Sequence, residues 1–262
     1  MSDYALALSD EELGRYRIMA AGAATEEAGA WAAAGIVAGA TVADVGCGPG
    51  AVLAELAAAV GPEGRVFGVD ADPVAVRHAR EEVAAHPHAT VQVGAADATG
   101  LRPGSVDVAV CRHVLAHNGG REQAIVDHLV SLARPGGSVY LVDVDSSGAR
   151  MVPDVPELDI WERYVEFHQG RGNDLSVGLR LGHYLEAAGT TVERFTCISP
   201  MLRLPAGIRP PQWAAREAML EAGVLSEADV ERWRAAFEEL DSWEQRPWLF
   251  VPMFVAAGRL PG

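Results

Sequence analysis

The residues best placed for chemistry begin with a glycine-rich turn. Residues 42–50 read VADVGCGPG, with Gly46, Gly48 and Gly50 at alternate positions after an apolar run. Glycines there let the backbone turn sharply and admit a ligand with no Cβ in the way, and the helix that follows would aim its first N–H groups at that ligand. A nicotinamide-dinucleotide fingerprint wants its third glycine one place later, as G-x-G-x-x-G, so the G-x-G-x-G spacing leans away from that cofactor. Residues 65–70, RVFGVD, end in Asp70, followed by Ala71, Asp72 and Pro73. A carboxylate at such a strand end can accept from both hydroxyls of a ribose. Asp97, between Ala96 and Ala98 just after the next apolar stretch, can accept from the exocyclic amine of an adenine. The fourth feature is Pro135-Gly136-Gly137, a tight turn into another strand. Each has a plain structural reading, as a turn, a solvated strand end or a loop carboxylate. Their order, on the ends of successive strands, is what points to a bound nucleoside.

A second set of residues could act on another molecule. His113 and His117 follow the fourth apolar strand, at the edge where ligands bind in open α/β sheets. Either could serve as a general base or orient a substrate, or simply pack against its own loop. Asp143 and Asp145 end the fifth strand and could contact a polar substrate. A metal ion there would need further oxygen ligands, and none is identified. Trp161, Tyr164 and His168 share one helical face, which is either core or a substrate pocket, with Phe167, Arg171 and Asn173 beside it. Trp213, Trp233 and Trp243 could pack a lid over an aromatic ligand.

Those groups need elements to position them. Apolar runs predict strands at 41–45, 65–70, 90–94, 106–111 and 138–143, alternating with helices at 51–60, 73–85 and 121–133. That alternation is the signature of a parallel sheet with helices on both faces. Ser9, with Glu12 three places on, predicts a capping box opening a helix to about Ala20, and a second helix spans 25–36. Beyond Asp145, helices are expected at 157–169 and 175–188, a strand at 191–198, and helical structure over 199–246, split near Gly223 with Ser226 capping the later part. A last strand covers 248–256. The whole reads as one domain over 1–262: a helical cap at 1–40, a cofactor-binding core at 41–145, and helical substrate-side additions at 146–190 and 199–247.

Composition narrows the partners. The formal net charge is −15, whereas a nucleic-acid-binding surface needs cations for phosphate, so no nucleic acid is expected. All 21 basic residues are arginine, which removes Schiff-base and P-loop chemistry. With the abundant Ala and Gly, this also suggests a high-GC bacterial coding sequence. Cys47, Cys111 and Cys197 are widely spaced, so neither a disulfide framework nor a structural metal site is expected. No apolar run is long enough to span a bilayer, and residues 1–4 lack the basic start of a secretory signal. A cytoplasmic protein with no membrane partner is therefore expected.

Taken together, VADVGCGPG, GVDADP, AADATGL, VDVAVCRHVLAH and LARPGGSVYLVD resemble the class I S-adenosylmethionine-dependent methyltransferases, in particular the branch of ubiquinone-biosynthesis-type and natural-product enzymes. These pieces span about residues 41–145. The resemblance implies a seven-stranded, mostly parallel sheet whose last strand is antiparallel, with the final hairpin supplied by 191–198 and 248–256. It implies S-adenosylmethionine as methyl donor and S-adenosylhomocysteine as product. By position, Gly46, Cys47 and Gly48 would face the methionyl and ribose portion, Asp70 with Ala71 the ribose, and Asp97 with Ala98 the adenine. Arg112 would offer its backbone to the methionyl amine, while Tyr16 and Met19 close over the sulfonium. Ala43 stands where such enzymes commonly carry leucine. Amine methylases place an Asn/Asp-Pro-Pro-aromatic motif where this chain reads Cys111-Arg112-His113-Val114, so that subclass is excluded. The implied activity is methyl transfer to O, N or C of a small molecule. The alternatives are a protein or RNA methyltransferase, or a module that binds the donor without chemistry.

Overall fold

The computed structural model describes residues 8–199, 201–203 and 205–262; the N-terminal residues read above for a secretory signal lie outside these. The strands are β1 (Thr41–Val45), β2 (Arg65–Asp70), β3 (Ala89–Val93), β4 (Val106–Arg112), β5 (Ala133–Val144), β6 (Arg150–Val152), β7 (Thr191–Ile198), β8 (Trp248–Phe250) and β9 (Met253–Arg259). The helices are α1 (Asp10–Glu26), α2 (Ala28–Ala34), α3 (Ala51–Val60), α4 (Pro73–Glu82), α5 (Glu122–Leu132), α6 (Ile160–Gly170), α7 (Leu181–Ala187), α8 (Pro211–Ala214), α9 (Arg216–Glu221) and α10 (Glu227–Ser242).

Seven strands form the main sheet in the order β3-β2-β1-β4-β5-β9-β7. Neighbours from β3 to β5 pair in parallel, and β9 lies antiparallel between β5 and β7. This is the expected sheet, with its last strand reversed. β1, β4 and β5 are nearly continuous runs of buried residues, as strands covered on both faces must be. One face packs Leu129, Leu141, Phe167 and Trp233 into its core. The other packs Trp31, Leu53, Leu56 and Tyr140. Strand order reverses between β1 and β4, which opens a crevice at the carboxyl edge of the sheet.

The termini of several elements differ from the sequence expectation, for local reasons. Ser9 does cap α1, accepting from the Glu12 N–H at 3.2 Å. The reciprocal half of the box is missing, because Glu12 grips Arg15 instead at 2.5 and 2.9 Å, and the helix continues to Glu26. The stretch expected as a helix from residue 175 is a 3-10 turn, Val177–Arg180, before α7. The final strand is really two. Pro252 has no N–H to donate and restricts the residue before it; its carbonyl accepts from the Asp145 N–H at 2.9 Å. β8 therefore pairs with β6 in a separate small sheet, while β9 enters the main one. Trp233 is core rather than lid: fully buried, it donates from Nε1 to Asp159 at 2.8 Å.

The helical cap is tied to the sheet by one carboxylate. Glu27, at the junction of α1 and α2, is buried and accepts from Arg112 Nη1 at 2.6 and 2.7 Å, from the Tyr140 hydroxyl at 2.8 Å and from Trp31 Nε1 at 3.3 Å. From this anchor α1 runs over α3 and reaches α4 through an Arg17–Glu82 ion pair. Stranding one charge of a buried pair costs about 3–5 kcal/mol, whereas replacing both by apolar groups is far cheaper. Glu27→Ala is expected to destabilise the protein by that amount in urea denaturation, and Glu27→Leu/Arg112→Met by distinctly less. Equal losses in the two variants would show that the pairing itself carries little of the stability.

Candidate active site

The glycine turn joins β1 to α3 at the crevice. Gly46 and Cys47 both donate to the Val69 carbonyl, at 2.7 and 3.1 Å, which pins the turn to the end of β2. Gly46 has φ 79°, and a Cβ there would fall 2.2 Å from a Val114 methyl, so only glycine fits. Around Gly48 the situation is the opposite: an added Cβ would meet nothing within 4 Å, so this is the point at which a ligand can approach the backbone. Burial pushes the Cys47 thiol well up, which leaves it an inert wall of the turn.

Asp70 ends β2 beside that turn. Its Oδ2 accepts from the Gly48 N–H at 2.8 Å and its Oδ1 from the Asp72 N–H at 2.9 Å. Burial raises its pKa, against those hydrogen bonds. Ala71 is exposed at the same corner. Asp97 and Ala98 lie in the turn after β3, where the Ala98 N–H donates to the Ala95 carbonyl at 3.0 Å. The Asp97 carboxylate is turned onto Arg121 at 2.5 Å, which holds its pKa low. What the turn leaves for a base edge is backbone. The Arg112 side chain is likewise committed to Glu27, so its main chain is the part still available at the end of β4.

Asp44 is a site residue that sequence reasoning passed over. It lies within β1, only 2% exposed, and its Oδ2 has no hydrogen-bond partner among the described residues. Burial pushes its pKa up to about 7, although the Arg112 charge pulls the other way. The signal was present in VADVGCGPG: a carboxylate inside an otherwise apolar strand is costly unless something answers it.

The second half of the site lies beyond β4. His113 adopts φ 54°, unusual for a residue with a side chain, and is held there by its N–H donating to the Val142 carbonyl at 2.8 Å. His117 closes the 3-10 turn Leu115–His117. On α6, His168 contacts Tyr164, His117 and Phe167 with ring centroids 4.4, 4.8 and 5.0 Å apart. The fold thus brings His117, Tyr164 and His168 into one cluster. Trp161 is half-buried against the core beside them. Burial lowers the histidines to about 3 for His113, about 4 for His117 and about 3 for His168, and raises Tyr164. Near neutral pH all four side chains are uncharged.

Two expectations change in the folded chain. Asp143 does not face a substrate: it is buried, it accepts from the Ala116 and Val144 N–H groups at 3.1 and 3.0 Å, and it braces the loop that carries the histidines. Met19 is half-exposed, with its sulfur against Arg15. The residues that α1 does bring to the cluster are Tyr16, with Arg15 4.8 Å above its ring, and the buried Glu12–Arg15 pair. Arg15 lies close enough to depress His113, and both charges act on Tyr164. From sequence Glu12 was read only as a capping partner of Ser9 and Arg15 had no role, because an ion pair at i, i+3 usually lies on a solvated face.

Residues 42–137, which hold the glycine turn, Asp70, Asp97 and both loop histidines, match the family model described as a methyltransferase domain. Over these residues the chain carries a methyltransferase domain. An uncharacterised 37.1 kDa protein of a Streptomyces fradiae transposon is 35% identical over 122 residues, 47% of this chain and 34% of that protein. An arsenite methyltransferase of Halobacterium salinarum is 32% identical over 123 residues, 46% of this chain and 31% of that enzyme. The chain thus spans about a third of the length of the curated relatives it matches. Among solved structures, an S-adenosylmethionine-dependent methyltransferase from Aquifex aeolicus shares the fold, with a TM-score of 0.53 at 16% identity over 88% of this chain and 87% of that one.

The unanswered carboxylate of this methyltransferase domain has a measurable cost. Asp44 titrates near 7 when folded and near the ordinary 3.8 when unfolded. Above pH 7 the folded state therefore holds a buried charge that the unfolded chain would solvate. As pH falls from 7 towards 4 the folded state takes up the proton first, and that penalty disappears. Asp44→Asn is expected to stabilise the unliganded protein by about 2–4 kcal/mol at pH 8, with little gain at pH 4. Urea denaturation of both proteins at the two pH values tests this; a gain that does not depend on pH would mean that Asp44 is not charged when folded.

Proposed function

We propose that this protein transfers a methyl group from S-adenosylmethionine to an O, N or C atom of a small molecule. In this reading the donor lies along Gly46, Cys47, Gly48 and Asp70, and the acceptor beneath α1 among His113, His117, Tyr164 and His168. The observation that carries the reading is the unpartnered Asp44 Oδ2 beside the glycine turn. A buried carboxylate in that position calls for a cation, and the donor bears both an ammonium and a sulfonium group. When bound, the donor supplies a methyl group already activated on sulfur. In the same reading Asp70 accepts from ribose hydroxyls, Ala98 and its turn border the adenine, and the Arg112 backbone meets the methionyl end.

The magnitudes favour positioning over proton abstraction. Burial holds the His113 imidazole well below its ordinary basicity, which makes it a poor base for a phenolic proton. His113 then orients the acceptor and does not act as a strong base, leaving alignment with the methyl group to supply most of the rate. A small acceptor is supported by the net charge of −15, which disfavours a polyanionic partner. Among the described residues no helix is long and apolar enough to cross a membrane, and no three His, Cys, Asp or Glu side chains are grouped to hold a metal ion.

Calorimetric titration with S-adenosylhomocysteine tests the reading. Asp70→Ala should weaken binding at least tenfold. In wild type, forming the ammonium–Asp44 pair expels a proton, so affinity should fall below pH 7, approaching tenfold per unit; Asp44→Asn should abolish that slope. A well-folded wild type that does not take up the ligand at any pH would rule out this donor site. Binding followed by methylated product in an acceptor screen by mass would establish the activity.

A further inference from the structure

The tautomer of His168 is set by a relay that begins outside its helix. Gly119, in the loop after β4, donates its N–H to Asn173 Oδ1 at 3.1 Å, which decides which end of that amide is oxygen. The other end, Nδ2, lies 3.1 Å from His168 Nδ1, and an amide NH2 can only donate. His168 Nδ1 therefore carries a lone pair. An imidazolium would oppose two N–H groups there, so the ring is neutral and its proton sits on Nε2. The relay depends on very close packing: a Cβ on Gly119 would fall 1.8 Å from the Gly172 carbonyl oxygen, and the Asn173 N–H itself donates to the His168 carbonyl at 2.9 Å.

The Nε2–H so defined is buried and has no acceptor among the described residues. The flanking Tyr164 and Phe167 offer ring surfaces, which make at best weak N–H···π contacts. His113 Nε2, in the loop after β4, is also buried without a partner among the described residues. Arg15 is already matched by Glu12 in a bidentate contact, and Arg171 stands over the Phe167 ring, 5.3 Å from its centre.

We propose that His168 determines specificity by donating from Nε2–H to a carbonyl-type oxygen on a neutral, ring-bearing acceptor, and that Asn173 is the positioning residue that keeps it a donor. This rests on the methyl-transfer reading only in placing the acceptor beneath α1; the tautomer stands independently of it. A site of uncharged imidazoles with its arginine already paired gives a carboxylate no advantage over a ketone. A donor with no protein partner discriminates strongly in favour of a ligand that supplies a lone pair.

Imidazole 1H–15N spectra of the [15N]histidine-labelled full chain at pH 8 test this, with and without S-adenosylhomocysteine; the His168 signals are assigned by their loss in His168→Gln. Wild type should show the Nε2–H tautomer in both states. Asn173→Asp keeps an acceptor for the Gly119 N–H but now accepts from Nδ1, so it should move the proton to Nδ1. Titrated with three probes, wild type should shift its His168 Nε2 signal with acetophenone but not with ethylbenzene or benzoate. Asn173→Asp should bind acetophenone at least tenfold more weakly while S-adenosylhomocysteine affinity stays within twofold. An Nδ1–H tautomer in wild type, an equal response to acetophenone and ethylbenzene, or a stronger one to benzoate would each overturn the proposal. Failure of S-adenosylhomocysteine to bind, with the tautomer as expected, would count against the methyl-transfer reading and not against the donor assignment.

Discussion

Glu27 sits where α1 gives way to α2, and its carboxylate gathers hydrogen-bond donors from Arg112 on β4, Tyr140 on β5 and Trp31 on α2. Two neighbouring strands of the sheet and the second helix of the cap are thereby referred to one buried carboxylate. The contact fixes the direction in which α1 leaves the sheet, and so brings Glu12, Arg15 and Tyr16 over the crevice. It also draws the Arg112 side chain away from the crevice, leaving that residue's main chain at the strand end. A buried ion pair with two further donors is costly to disturb and specific in geometry, whereas apolar packing alone would let a short helical cap slide.

The crevice contrasts with this hub, where the Glu27 carboxylate is fully engaged and Arg112 Nε is the one member atom without a partner among the described residues. Asp44 Oδ2, His113 Nε2 and His168 Nε2 are all buried without partners among the described residues. Each such group costs about 1–3 kcal/mol if nothing answers it, so a fold selected for stability alone would not gather them at one edge of one sheet. Violations of polar satisfaction concentrated at a strand edge are what a binding site looks like before its ligands are considered. The charges are also divided by place. The carboxylates Asp44 and Asp70 stand on the glycine-turn side, suited to a cation and hydroxyls. The far side holds uncharged rings beside the Glu12–Arg15 pair, whose two charges offset each other.

Much of the fold could be read from the chain because parallel strands buried on both faces leave an unambiguous mark. The runs at β1 and β2 are continuous and apolar, end in glycines or carboxylates, and fall where expected. The error at 248–256 came from the same rule: hydropathy runs unbroken through Pro252, but a missing N–H divides the segment between two sheets. The site was half legible. Gly46, Gly48 and Asp70 announce themselves through residue type and spacing. Asp44 was hidden within an apolar strand, Glu12 was legible only as a capping partner of Ser9, and nothing local marked Arg15 or Glu27 as buried.

The sequence by itself determined the order of the strands' chemistry: a glycine turn, then a carboxylate, then a second carboxylate, each ending a successive strand, together with a net charge unsuited to nucleic acid. Those features are local, because turn conformation, strand period and charge depend on neighbours in the chain. Tertiary structure alone decided which ionisable groups would be paired and which left bare. That α1 carries a buried ion pair, that Asp143 faces inward and that His168 holds its proton on Nε2 depend on contacts between residues far apart in sequence. Burial and pairing are properties of the packed interior, where a few ångströms decide whether a group meets water, a partner or nothing.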